Sequence, residues 1–209
     1  GNMMLAKFYL PPNFTSYASH HVVMALHGGG WRQGYPEVIY NYCTALATNI
    51  SPSYVVAAPT YRLTPYGVTS PAPEQDAVDF YNLLNAATFI RKGFAPAIFG
   101  ESSGGHLACY VGATQNVPRV FALYPPINLT GNPAVSAGLD AYVDYYVNTP
   151  ALQSAASVDL LWTGSRTTQF QLWHGTGDTF VPQAQSGLLD TVAGANCAVT
   201  YKAGEGHGF

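Results

Sequence analysis

Short runs rich in β-branched and aromatic residues recur along this chain and alternate with amphipathic segments. That alternation constrains the fold more than any single motif does. HVVMAL (residues 21–26), YVVAAP (54–59), PAIFG (96–100), RVFALY (119–124), QFQLWHG (169–175) and AVTYKAG (198–204) are predicted strands. Helices are predicted over 36–48, with Val38, Ile39, Tyr42, Ala45 and Leu46 at helical spacing, and over 73–90, 103–115 and 182–193, two of them opened by Pro73 and Pro182. Parallel strands need a crossover connection, and a crossover helix covers the sheet face it passes. The pattern therefore implies an α/β protein: a mostly parallel central sheet flanked by helices, with residues 1–209 forming a single domain. In such sheets the chemistry collects in loops at the carboxyl ends of the strands.

Composition narrows the function. Only 9% of residues are charged and the net charge is -3, with no basic stripe that could follow a phosphate backbone, so nucleic acid is not an expected partner. No apolar stretch reaches the roughly 18 residues of a membrane span, which implies a soluble protein. Cys43, Cys109 and Cys197 are too few and too scattered for a metal cluster and read as buried thiols. Sequons at Asn13, Asn49 and Asn128 would suit a secreted protein, yet such tripeptides arise often by chance, and the compartment stays open between secreted and cytoplasmic.

One stretch invites a chemical reading. In FGESSGGHLACY (99–110), the pattern G-x-S-x-G fits Gly100, Glu101, Ser102, Ser103 and Gly104, and it fits Ser102 alone. Ser102 follows a predicted strand and opens a predicted helix, the context in which a strained turn presents a serine hydroxyl clear of a sheet. A serine hydroxyl is a poor nucleophile at neutral pH, so a histidine must take its proton and a carboxylate must orient that histidine. Of six histidines, His106 lies one helical turn beyond Ser102 and reads as structural or as pocket wall. His20 and His21 read as surface residues, and His27 and His174 as loop-shaping. His207, in the loop GEGHGF after the last strand, is the best base. Asp178, in the turn HGTGDTFVP, is the candidate acid, although alone it would read as an ordinary turn aspartate. The loop LHGGGWRQG (26–34) follows the first predicted strand, and its glycines let backbone N–H groups face a developing oxyanion. A phosphate loop is the competing reading, and it fails because no Gly-Lys-Ser/Thr follows.

Taken together, HGGGW (27–31), YRLTP (61–65), GESSGGHLA (100–108), HGTGDTFVP (174–182) and GHGF (206–209) resemble the α/β-hydrolases, and within them the HGGG-type esterases akin to hormone-sensitive lipase and the bacterial feruloyl and acetyl-xylan esterase-like group. The resemblance implies the α/β-hydrolase fold, a triad of Ser102, Asp178 and His207, and oxyanion donors at the amides of Gly29, Gly30 and Ser103. It implies a serine esterase acting on short-chain acyl esters, small-molecule or carbohydrate-linked, with no metal or cofactor. A peptidase or amidase resembling the acylaminoacyl peptidase catalytic domain is an alternative, and a non-catalytic receptor of the same fold is another. The irregular stretch 125–164 is the natural place for a small cap, and the expected cap is minimal or absent. An open, shallow pocket is expected, walled by Trp31 and by some of Tyr142, Tyr145 and Tyr146.

Overall fold

A computed structural model describes residues 4–15, 20–49, 54–88, 94–131 and 137–209. Its centre is a seven-stranded sheet in the order β1-β3-β2-β4-β5-β6-β7. The strands are β1 (Ala6–Tyr9), β2 (His21–Leu26), β3 (Tyr54–Pro59), β4 (Ala97–Glu101), β5 (Arg119–Leu123), β6 (Gln169–Gly175) and β7 (Cys197–Lys202). All neighbours pair in parallel except β1, which lies antiparallel along β3. Every predicted strand is present within two residues of its expected ends. Only β1 escaped prediction, because four residues with a half-exposed face give a period-2 signal too short to read.

Burial explains why the inner strands read as continuous apolar runs. In β2, Val22, Met24 and Leu26 enter one core while Val23 and Ala25 enter another on the opposite face. The larger core is closed by α2 (Ala72–Ala86), α3 (Ser102–Thr114) and α7 (Ala184–Ala193), and the smaller one by α1 (Tyr40–Thr48), which packs on β3. The predicted helix over 36–48 divides into a 3₁₀ turn, Pro36–Ile39, and α1. The helix predicted to run to residue 90 ends at Ala86, and residues 89 and 90 lie outside the described residues. The stretch expected to be irregular holds three short helices, α4 (Ala137–Tyr146), α5 (Pro150–Ala156) and α6 (Val158–Leu161). No helix among the described residues is long and apolar enough to cross a membrane.

One expectation about a polar residue needs correction. His20 is buried rather than superficial, because its ring stacks on Phe14 at 4.7 Å and its Nε2 bonds the Thr15 carbonyl at 2.8 Å. Asn128 is buried and spent internally, donating to Asp159 and accepting from the amide and hydroxyl of Thr130, so its side chain is not presented as an acceptor for glycan. Cys43 and Cys109 are buried thiols, whereas Cys197 is partly exposed on β7.

Candidate active site

Because β2, β4, β6 and β7 are parallel, the loops after them emerge at one edge of the sheet. Those loops carry the glycine run, Ser102, Asp178 and His207. Ser102 ends the β4 connection at φ 49, a left-handed backbone that a non-glycine residue adopts only where the surroundings over-determine it. They do so here through glycine. A Cβ on Gly100 would collide with the Gly104 carbonyl, and one on Gly104 would collide with the carbonyls of Leu26 and His27. The elbow is thus wedged against β2, and only glycine fits at positions 100 and 104.

Ser102 Oγ lies 3.0 Å from His207 Nε2, and His207 Nδ1 lies 2.7 Å from Asp178 Oδ2. A carboxylate only accepts, so the Nδ1 proton points at Asp178 and the Nε2 lone pair faces the serine hydroxyl. Asp178 is held on both oxygens: the amides of Phe180 and Val181 donate to Oδ1 at 3.0 and 2.9 Å, and His174 Nε2 approaches Oδ2 at 3.4 Å. Burial alone would raise this carboxyl. Hydrogen bonds from His174, His207 and the Val181 amide outweigh that and hold it well below the usual carboxylate range. His174 is fully buried. Its Nε2 donates to the Val181 carbonyl at 2.8 Å and its Nδ1 meets Ser186 Oγ at 2.7 Å, so it shapes the acid's turn from below.

The glycine loop lies opposite. Gly29 and Gly30 adopt φ 124 and φ 62, and a Cβ on Gly30 would strike the Tyr142 ring. His27 underpins the loop: its Nδ1 donates to the Gly28 carbonyl at 2.7 Å, its ring stacks on Tyr61 at 4.3 Å, and burial lowers its pKa. Tyr61 in turn donates to the His27 carbonyl at 2.8 Å and stands 3.4 Å from Ser103 Oγ. Arg62 pairs with Asp76 of α2 through both its backbone amide and its guanidinium, which explains the Tyr-Arg couple in YRLTP. Ser103 is buried, with its hydroxyl turned toward Tyr61 rather than into the cleft.

Between the loop and Ser102 and His207 lies an open cleft of about 480 Å³, lined by Gly28, Gly29, Gly30, Tyr35, Glu101, Ser102, Tyr124, Tyr142, Phe180 and His207, among others. Trp31 and some of Tyr142, Tyr145 and Tyr146 are expected from sequence to wall it; of these candidates only Tyr142 does. Trp31 is fully buried, stacked on Tyr146 at 4.4 Å, with its Nε1 donating to His106 Nδ1 at 3.3 Å. His106 Nε2 donates to the Ala156 carbonyl at 2.8 Å, and burial lowers the ring's pKa to about 4, so His106 is structural. Tyr146 is fully buried in the same stack. Tyr145 is 61% exposed beneath the guanidinium of Arg32 and does not line the cleft. The reason is helical geometry: Tyr142 and Tyr146 stand one turn apart on α4 and face inward, while Tyr145 falls on the outer face. Glu101, Tyr124 and Phe180 escaped sequence reasoning, although Tyr124 at the carboxyl end of β5 occupied a position where site residues collect. No group of histidine, cysteine or carboxylate side chains among the described residues could hold a metal ion.

A mostly parallel sheet with a strained serine between β4 and α3, and its partners on the loops after β6 and β7, defines an α/β-hydrolase fold of the esterase type. The chain matches the BD-FAE family model over residues 7–158 and belongs to that family of α/β-hydrolase esterases. Its fold is similar to esterase 2 of Thermogutta terrifontis phosphonylated by sarin, with a TM-score of 0.81 at 18% identity over 99% of this chain and 81% of that one. The butyrate-bound form of that esterase gives 0.77 at 19% identity, covering 99% and 80% of the two chains. An esterase of Pyrobaculum calidifontis gives 0.83 at 26% identity, covering 99% and 73%. Among curated proteins none matches the chain.

Proposed function

We propose that the protein is a serine carboxylic ester hydrolase acting on short-chain acyl esters through an acyl-enzyme. The observation that carries this reading is the continuous hydrogen-bonded line from Ser102 Oγ through His207 to Asp178, at 3.0 and 2.7 Å, opening into a cleft. Ser102 attacks the ester carbonyl as His207 Nε2 takes its proton, and Asp178 holds the ring in the required tautomer and stabilises the imidazolium. The amides of Gly29, Gly30 and Ser103 receive the oxyanion. His207 then protonates the departing alcohol, and water repeats the sequence on the acyl-enzyme. Support for a short acyl group comes from the small, open cleft bounded by Tyr142 and Phe180, and from the propionate- and butyrate-bound forms of the Thermogutta esterase.

A fluorophosphonate probe tests the chemistry. It labels the wild type at Ser102 and fails to label Ser102→Ala; an unlabelled, folded wild type would instead point to a non-catalytic receptor. A matched pair of nitrophenyl ester and nitroanilide then separates esterase from amidase, and the ester is expected to turn over faster by orders of magnitude.

A further inference from the structure

Glu101 stands between Gly100 and Ser102, and its side chain reaches in two directions. Oε2 accepts the Tyr124 hydroxyl at 2.8 Å, and Oε1 lies 3.4 Å from the amide of Gly28, the residue that leads into Gly29 and Gly30. Space there is tight: a Cβ on Gly28 would stand 3.2 Å from Glu101 Oε1 and 3.3 Å from Ser102 Cβ. Tyr124 turns at φ 38, an unfavourable backbone for a bulky residue, and this turn sets its ring 4.5 Å from the His207 ring. Its amide is pinned to the Trp173 carbonyl at 2.7 Å. Burial, and then the charge and hydrogen bond of Glu101, push the Tyr124 phenol well above its ordinary range, so it remains a donor throughout the working pH range.

We propose that Glu101 and Tyr124 are positioning residues that brace the base against the oxyanion loop, the Tyr124 ring supporting His207 while the Glu101 carboxylate ties the Tyr124 hydroxyl to the Gly28 amide. The role rests on the ester-hydrolase reading above. Neither residue needs to contact the reacting atoms. The brace keeps two parts of the machinery in register, one on the loop after β2 and one on the loop after β7, that share no direct hydrogen bond among those described.

The charge of Glu101 gives a readout that packing alone does not. His207 faces Asp178 at Nδ1, Ser102 at Nε2 and the rings of Tyr124 and Phe180, with His174 behind Asp178 and Glu101 reached through the Tyr124 hydroxyl. Glu101→Gln keeps the shape and removes a negative charge, so the Tyr124 hydroxyl and the Gly28 amide lose a charged acceptor. Hydrogen exchange at the Gly28 amide, followed by NMR, is expected to quicken about tenfold. This measurement needs no turnover, and so separates failure of the brace from failure of the esterase reading, which wild-type hydrolysis of nitrophenyl acetate tests.

A double-mutant cycle tests the linkage itself. Tyr124→Phe keeps the ring and is expected to lower kcat about tenfold, the scale of one charge-assisted hydrogen bond, with KM changed less than about twofold. Glu101→Gln is expected to lower kcat similarly. The double variant is expected to be no more than about twofold worse than either single, because both break one linkage. Losses that multiply to about a hundredfold, a Tyr124→Phe enzyme with wild-type kcat, or unchanged Gly28 amide exchange in Glu101→Gln would each overturn the proposal.

Discussion

At the scale of single residues, two adjacent serines have opposite environments. Ser102 Oγ faces His207, while Ser103 Oγ faces Tyr61 in the core. Ser102→Ala is therefore expected to abolish ester turnover, whereas Ser103→Ala, which keeps the backbone N–H, retains most of it. Equal loss in two folded variants would refute the assignment. Asp178→Asn is expected to cost about ten-thousand-fold in kcat, since an amide favours the wrong imidazole tautomer. The same substitution bears on acid stability. A carboxyl whose folded pKa is depressed contributes stability that is fully present above its unfolded pKa of about 3.9 and is lost as pH falls through the folded value. Wild type is thus expected to lose more stability than Asp178→Asn below about pH 4, measured as the shift in urea midpoint. The candidate triad was legible because each member sits in a glycine-flanked loop after a strand. Glu101 and Tyr124 were not legible as partners, since 23 residues separate them and only the pairing of β4 with β5 brings them together.

At the scale of elements, the β4–α3 elbow and the glycine loop are locked by backbone contact rather than by side-chain choice. Gly104→Ala would set a methyl group against the carbonyls of Leu26 and His27, which belong to the sheet and its immediate continuation and have little room to yield. Scanning calorimetry is expected to show a loss of about 2–3 kcal/mol, or roughly 5–10 °C in Tm. Trp31 illustrates the limit of motif reasoning. It is expected from sequence as a pocket wall, but at φ 56 its side chain turns inward onto Tyr146 and His106. Trp31→Phe is accordingly expected to lower Tm by a few degrees while leaving the ranking of acyl-chain lengths unchanged. A changed ranking in a folded variant would return Trp31 to the cleft.

At the scale of the whole molecule, the parallel sheet gathers four loops at one edge, and α4 supplies only one aromatic residue to the cleft they form. A deep acyl tunnel would reward each methylene by about 0.8 kcal/mol, close to fourfold in kcat/KM. With an open cleft bounded by Tyr142 and Phe180, kcat/KM across nitrophenyl esters is instead expected to climb from acetyl to about butyryl or hexanoyl and then flatten. A rise continuing past ten carbons would require a tunnel that the described residues do not form. What the sequence by itself determined was the alternation of strands and helices, the elbow around Ser102, and the loop positions of Asp178 and His207. Each of these is written in local periodicity or in glycines that the backbone requires nearby. Tertiary structure alone decided which aromatic residues reach the cleft, that Asn128 is spent on Asp159, and that Glu101 meets Tyr124. Those outcomes depend on the rotation of a helix about its axis and on which strands become neighbours, and both are set by packing between segments far apart in the chain.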